Sequence, residues 1–292
     1  MHKSGFVNII GNPNVGKSTL MNVLTNEKLS IITSKSQTTR HRIMGIVNTD
    51  EYQIVYSDTP GILKPNYKLQ DSMLKFVDIA LDDADIILYV TDIYETFDKN
   101  IEYIEKIKKL EVPVFLLINK IDQSDQEKVL GIIERWEKVL PNAKIFPISA
   151  LHKFAIDGVF KNILEKLPES PAYFDKDQIT DKPAKFFVSE IVREKILMNY
   201  KKEVPYAVEI EVDNFKEEED IIKIRIIIFV ERESQKPILI GHKGSALKRI
   251  GISARKDIEK FFDKKVFLEQ FVKVRKNWRN DQQQLKRFGY DN

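Results

Sequence analysis

The run Gly11-Asn12-Pro13-Asn14-Val15-Gly16-Lys17-Ser18-Thr19 stands between a short apolar stretch at 5–10 and a helical pattern at 17–25. A glycine, four residues and then Gly-Lys-Ser is the phosphate-loop pattern, and a strand before it with a helix after it is the context that gives the pattern meaning. This constrains the fold more than any other feature of the chain. The backbone must turn directly from strand to helix. Its glycines let N–H groups point inward at phosphate oxygens, and the helix N-terminus adds its partial positive charge. Lys17 is then placed to reach the β- and γ-phosphates of a nucleoside triphosphate, and the Ser18 hydroxyl to ligate magnesium. The loop implies a triphosphate without naming its base.

The residues around the loop repeat the strand–helix alternation. Runs at 86–90 and 114–118 are continuously apolar and β-rich, as strands buried on both faces are. A strand pair is expected at 43–47 and 52–56, and a last short strand at 145–148. Helical patterns fall at 69–81, 100–110, 126–140 and 157–167. Such alternation predicts an α/β fold with a mostly parallel sheet and helices on both faces. The rhythm breaks at 167–183, where Pro168, Pro171 and Pro183 lie among charged and small residues. The expected organisation is therefore a nucleotide domain over 1–168, a connector over 169–183 and a second domain over 184–292.

Two further motifs follow strands of the first domain. Asp58-Thr59-Pro60-Gly61 comes some 40 residues after Lys17. An aspartate at a strand end beside the loop can hold magnesium through water, and Gly61 leaves its N–H free to approach the γ-phosphate. Asn119-Lys120-Ile121-Asp122 follows the run at 114–118. A carboxylate at Asp122 can accept both N1–H and the 2-amino group of guanine. Adenine would leave that carboxylate unpaired, a rejection worth roughly 10⁴–10⁵. Lys120 would lie along the base, and Asn119 would tie this loop to the phosphate loop. Ser149-Ala150 would complete the base pocket through a backbone N–H.

In order and spacing these motifs resemble the translation-factor-related GTPases of the P-loop class. The resemblance implies that a threonine within Gln37-Thr38-Thr39-Arg40-His41 closes on magnesium. Adjacent threonines leave the choice open, with Thr39 favoured over Thr38. The working residues are then Lys17, Thr39, Asp58 and Gly61. Where Ras-like enzymes carry a water-orienting glutamine just after the DxxG glycine, this chain has Ile62, which cannot hydrogen-bond to water. Asn14 matches the asparagine that binds potassium in several relatives and is the candidate potassium ligand.

The second half differs in order and in charge. A helix is expected at 184–198, strands at 206–212 and 220–231, a helix around Gly241, a long helix to Phe262, a strand at 266–274 and a terminal helix from Trp278. From residue 174 onward there are 26 Lys/Arg against 21 Asp/Glu, and between Lys236 and Arg287 there are 15 against 5. Basic charge so concentrated suggests a polyanion partner. Within it lies Ile240-Gly241-His242-Lys243-Gly244-Ser245. A Gly-x-x-Gly turn with basic residues, leading into a helix, is what a KH domain uses to clamp single-stranded nucleic acid. His242, Lys243, Lys248 and Arg249 are candidate phosphate contacts, as are Arg255, Lys273, Arg275 and Lys276. Ile238, Ile240, Leu247 and Ile250 are expected to line the groove.

Over nearly its full length the chain resembles the Era family of bacterial ribosome-assembly GTPases. The match includes 37–41, 240–245, Ala254-Arg-Lys-Asp-Ile258 and Phe288-Gly-Tyr290. The resemblance implies a P-loop GTPase domain followed by an α+β type II KH domain. It also implies GTP hydrolysis with Mg²⁺, binding of the 3′ end of small-subunit ribosomal RNA, and a role in maturation of the 30S subunit. It further implies a cytoplasmic monomer with peripheral association at the inner membrane face. No amphipathic anchor or lipidation signal accompanies that last expectation. The chain has no cysteine, which excludes disulfides and cysteine-ligated zinc. Its N-terminus runs straight into a strand pattern, so no signal peptide is expected. The rival readings are an ATPase of the same fold, a structural nucleotide site, and a basic domain that binds acidic lipid.

Overall fold

Strands without polar alternation must be covered on both faces, and the first sheet is built that way. The computed structural model describes residues 1–96 and 99–290. The chain divides into two units, Met1–Pro65 with Met73–Asp181 and Asn66–Ser72 with Lys182–Asn292.

In the first unit, β1 (Lys3–Gly11), β2 (Ile43–Asn48), β3 (Tyr52–Asp58), β4 (Ile86–Asp92), β5 (Val114–Asn119) and β6 (Lys144–Pro147) form one sheet in the order β2-β3-β1-β4-β5-β6. Only the β2–β3 pair is antiparallel. The register decides where the motifs fall. Ile9 pairs with Asp58, Gly11 with Val90 and Asp92 with Asn119, so the phosphate loop, DxxG and NKxD all leave the sheet at one edge. The helices are α1 (Lys17–Thr25), α2 (Lys68–Asp82), α3 (Ile101–Lys108), α4 (Gln126–Val139) and α5 (Ile156–Lys166). Each turns a stripe inward. On α2, which enters this unit at Met73, the residues Met73, Val77 and Ala80 recur at helical spacing and are fully buried. The Asp125 side chain caps α4 by accepting from the Lys128 amide.

Of the connector expected at 169–183, Glu169 and Ser170 bond the chain at Lys3 and His2, and residues 178–181 lie along the open edge of β2. Gly45 and Thr180 form an antiparallel bridge, and the Ile46 amide donates to the Ile179 carbonyl at 2.9 Å. Thr180 Oγ1 donates to the Met44 carbonyl, and Asp181 Oδ1 accepts from the Met44 amide. Buried Gln53 accepts from the amides of Tyr173 and Phe174 and donates to the Phe174 carbonyl. The prolines deny this stretch a regular element of its own. Its backbone groups are satisfied by the strand edge that would otherwise be exposed.

In the second unit, α6 (Ala184–Asn199) and α8 (Ser245–Phe262) pack on a sheet of β7 (Val208–Glu217), β8 (Ile221–Val230) and β9 (Lys265–Val274). The β7–β8 pair is antiparallel and β8–β9 is parallel. Ile222, Ile224, Ile226 and Ile228 alternate onto the helix side and join Val188, Val192, Ile196, Ile250 and Ile258 in one core. The first strand begins at Val208, later than its pattern suggests, because Pro205 sits in a 3-10 turn over Val204–Tyr206. The helix expected from Trp278 is a 3-10 turn, Trp278–Asn280. A short α9 (Gln282–Arg287), capped by Asp281, follows it.

The charged residues of α6 are interior. Arg193 donates to Glu190, Lys195 bonds Glu194 at 2.9 Å, and all four are buried. Burial works against the Arg193 charge, but the Glu190 carboxylate more than restores it and holds the guanidinium above its ordinary value.

Candidate functional site

The phosphate loop turns into α1 through Gly16, whose φ is 100°. A Cβ there would stand 2.2 Å from Asn119 Nδ2, so both the backbone angle and the space require glycine. With no side chain capping α1 and no acidic residue in its first turn, the first amides of the helix are left for an anion. Lys17 Nζ bonds the carbonyls of Gly11 at 3.0 Å and Asn12 at 2.8 Å. Burial pushes this ammonium down to about 8, against the pull of Asp58 and Glu95.

Three oxygens meet beside Lys17. Ser18 Oγ donates to Asp58 Oδ2 at 2.7 Å and lies 2.9 Å from Thr39 Oγ1, which is 3.2 Å from the same carboxylate oxygen. Thr38 is turned elsewhere: its Oγ1 bonds Thr33 Oγ1 and the Lys35 carbonyl. Asp58 is fully buried, and its Oδ1 has no hydrogen-bond partner. Burial pushes its carboxyl up, opposed by Lys17 and by hydroxyl hydrogen bonds. Two hydroxyls and an under-coordinated buried carboxylate are hard oxygen donors, a set that fits a magnesium ion. Thr59 Oγ1 donates to the Ile9 carbonyl and fixes the start of the DxxG turn.

Asn119 joins three loops. Its Nδ2 donates to the Val15 carbonyl at 2.7 Å, and its Oδ1 accepts from the Ala150 amide at 2.9 Å. The amide of Ala150 is therefore engaged with Asn119 in this structure. Lys120, in a left-handed backbone conformation, sends Nζ to the Asn14 carbonyl and to Asp92. Asp122 Oδ1 accepts from Ser149 Oγ at 2.6 Å, the main reason its carboxyl titrates below the ordinary range. Pro13, Asn14, Gly16, Lys17, Ser18, Thr19, Thr38, Thr39, Gly61 and Lys120 line a single cleft. Ile62, after the DxxG glycine, points away from it: the side chain is 2% exposed and belongs to the core with Val77, Tyr89 and Tyr103.

Two residues here carried no motif. Glu95 contacts Asn12, and Asn100 contacts both Asn12 and the Ile62 carbonyl. A glutamate and an asparagine in a polar connection between strand and helix are too ordinary to have marked them.

In the second unit, the chain breaks between α7 (Gln235–Ile240) and α8 at Gly241, with φ 74° and ψ 175°. A Cβ at Gly241 would come 2.6 Å from that of Ala246. Lys243 and Gly244 are both left-handed, so the loop presents His242 and Lys243 to solvent at the N-terminus of an 18-residue helix. Ser245, Lys248 and Arg249 are exposed beside them, as are Lys273 and Lys276, whereas Arg255 pairs with Glu259 and Arg275 stacks on Phe229. Of the expected groove residues, Ile238 is 51% exposed, Ile240 and Leu247 are half-buried, and Ile250 is in the core.

Comparison with known proteins agrees with both halves. Residues 6–120 match the 50S ribosome-binding GTPase family, and residues 203–279 match the KH domain. GTPase Era of Clostridium kluyveri is 45% identical over 99% of this chain and 100% of its own length. GTPase Era of Ruminiclostridium cellulolyticum is 43% identical over 99% and 98%. A crystal structure of Era with MgGDPNP and nucleotides 1506–1542 of 16S ribosomal RNA superposes with a TM-score of 0.95, at 41% identity and 99% coverage of both chains. A variant of Aquifex aeolicus Era bound to GDP and AlF4⁻ gives 0.94, also at 41% and 99% of both. A P-loop GTPase unit followed by a KH unit, matched end to end at this identity, places the chain in the GTPase Era family.

Proposed function

We propose that this GTP hydrolase works on a magnesium complex of GTP held by Ser18 and Thr39, and that turnover switches the grip of its Gly241–Gly244 loop on the 3′ end of 16S ribosomal RNA during assembly of the 30S subunit. The observation that carries the nucleotide part is the meeting of Ser18 Oγ, Thr39 Oγ1 and Asp58 Oδ2 within 2.7–3.2 Å of one another. The RNA part is supported by the likeness to an Era structure that contains that RNA segment.

Magnesium at this place would neutralise charge on the phosphate oxygens. Lys17 supplies a second positive charge to the same end of the nucleotide. The loop amides from Asn12 to Thr19 hold the phosphates, and Lys120 and Asp122 hold guanine in a pocket completed by Ser149 and Ala150, with Asn119 tying the loops together. Gly61 offers its N–H to the γ-phosphate. No side chain at position 62 can act as a base or orient water, since Ile62 is in the core. Catalysis is therefore positioning and charge stabilisation, and unassisted turnover is slow. Asn14, exposed at the rim of the loop, is the ligand for a potassium ion that would add charge there.

The domains on this reading are 1–168 and 184–292, and the chain acts as a cytoplasmic monomer that meets the inner membrane face only peripherally. Among the described residues no helix is long and apolar enough to cross a membrane.

The test is a pair of single substitutions with crosslinking. Thr39→Ala should raise the magnesium concentration needed for half-maximal turnover at least about tenfold, while Thr38→Ala leaves it within about twofold. Crosslinking to a 16S 3′-end oligonucleotide should differ between chain loaded with a GTP analogue and chain loaded with GDP. Equal magnesium dependence in the two variants removes the ligand assignment, and identical crosslinks remove the switch. Equal turnover in potassium and sodium at matched ionic strength removes the role of Asn14.

A further inference from the structure

Asn100 stands where a helix-capping residue stands and does not cap. It precedes α3 with a left-handed backbone, φ 59° and ψ 42°, and its side chain makes no bond to the helix amides. Asparagine at that position ordinarily satisfies a first-turn N–H. Here Nδ2 crosses the fold instead, to Asn12 Oδ1 and to the Ile62 carbonyl at 3.2 Å.

Asn12 is 1% exposed, and its side chain also hydrogen-bonds the Glu95 carboxylate. Glu95 is nearly buried, accepts from Thr91 Oγ1 at 3.0 Å and has Lys99 Nζ 3.9 Å away. A carboxylate in that position is expensive to desolvate, and burial indeed pushes it up against the bonds from Asn12 and Thr91. Its charge also acts on Lys17 across the loop. Both residues thus give up something local, a cap in one case and hydration in the other, to hold Asn12.

These bonds join the second residue of the phosphate loop to the residue after DxxG. Ile62 is fixed at three points: its N–H donates to the Gly11 carbonyl at 3.1 Å, its carbonyl accepts from Asn100, and its side chain is in the core. Gly61 is pressed against Pro13, with room for no Cβ: one would lie 2.7 Å from Pro13 Cα.

We propose that Asn100 and Glu95 are positioning residues for GTP hydrolysis: through Asn12 and the Ile62 backbone they hold the Gly61–Ile62 peptide in register with the phosphate loop. Gly61 is the group facing the γ-phosphate end, so loss of the brace falls on the chemical step. The grip on guanine, made by Asn119 and Asp122, does not run through it, and of the loop residues that hold the phosphates the brace touches Asn12 alone. The proposal rests on the GTPase activity of the site described above. Misplacement by about 1 Å near reacting atoms costs up to roughly a hundredfold in rate, and a brace that can partly relax should cost about tenfold.

The test compares kcat for GTP and Kd for a fluorescent GDP in the full chain. Asn100→Ala should lower kcat about tenfold with the GDP Kd within about twofold. Asn100→Asp is the decisive variant. Aspartate caps helices as well as asparagine but cannot donate to the Ile62 carbonyl. It should lose kcat as the alanine variant does, whereas a residue that matters only for α3 would be rescued. Glu95→Ala should follow Asn100→Ala, and Glu95→Gln, which keeps an acceptor for Asn12, should retain most of the rate. An unchanged kcat in Asn100→Ala, full rescue by Asn100→Asp, or kcat and GDP affinity falling in proportion would overturn the proposal. Turnover of the unaltered chain reports on the GTPase reading by itself, and the ratio of variant to unaltered rate reports on the brace.

Discussion

Asn119 shows how much one side chain can organise. It spans 104 residues to Val15 and 31 to Ala150, and it is 3% exposed, so no water replaces either partner if it is removed. Each buried polar group left unpaired costs about 1–3 kcal/mol. Asn119→Ala should therefore weaken GDP and GTP alike by at least about tenfold in titration calorimetry, because the loops it ties serve both ligands. Asp122 is different in kind. It is held by Ser149 at the rim of the site and ties no backbone together. Asp122→Ala should spare the fold and reduce the preference for GTP over ATP by more than about a hundredfold, since a purine then meets no acceptor that demands N1–H. If Asn119→Ala altered the purine preference while leaving GDP affinity intact, the division of labour between the two residues would be wrong.

At the scale of elements, the chain from residue 169 to 181 makes the strongest case. It carries no strand pattern, yet it closes the edge of β2 through Ile179, Thr180 and Asp181 and is pinned further back by Gln53. Gln53→Ala leaves the amides of Tyr173 and Phe174 and the Phe174 carbonyl without their partner. Even with water reaching part of that surface, the loss should be about 2–4 kcal/mol in urea unfolding of the first unit, with faster proteolysis between residues 173 and 181. A change below about 0.5 kcal/mol, with protease resistance kept, would mean that the segment is only laid against the strand. The same segment marks the limit of what the sequence discloses. Buried parallel strands, glycine-dependent turns and the motif-bearing strand ends are legible because each is dictated by local spacing. The edge-filling role of 169–181 is not, because it depends on Gln53, more than a hundred residues away. Ile62 is a half-legible case: its chemistry excludes a water-orienting role, but only packing shows that it belongs to the core. The interior charges of α6 are hidden for the same reason. Glu190 and Arg193 stand three apart on one helix, but the other groups that act on Arg193, Glu209 and Tyr290, lie far along the chain.

At the scale of the whole molecule, charge separates the work. Residues 1–173 carry 21 Lys/Arg against 23 Asp/Glu, while the 52 residues from Lys236 to Arg287 carry 15 against 5. A polyanion is thus attracted to one part of the chain and gains nothing from the other. Within the basic part only some cations are placed to act. His242 and Lys243 project from the Gly241–Gly244 turn, Lys248 and Arg249 lie one turn into α8, and Arg255 and Arg275 are engaged with Glu259 and Phe229. Replacing His242 and Lys243 together by aspartate removes one certain positive charge and introduces two negative ones without touching the glycines that shape the turn. Binding of a single-stranded RNA oligonucleotide should weaken by more than about tenfold at moderate salt. The slope of log K against log salt should become shallower by about 0.7 for each phosphate that the protein no longer neutralises. Arg255→Gln, at a cation already paired, should change the slope by less than half as much. The double variant must also lose RNA more than it loses vesicles of anionic lipid; if both fall together with the same salt slope, the basic face is a general anion-binding surface and the turn has no special role.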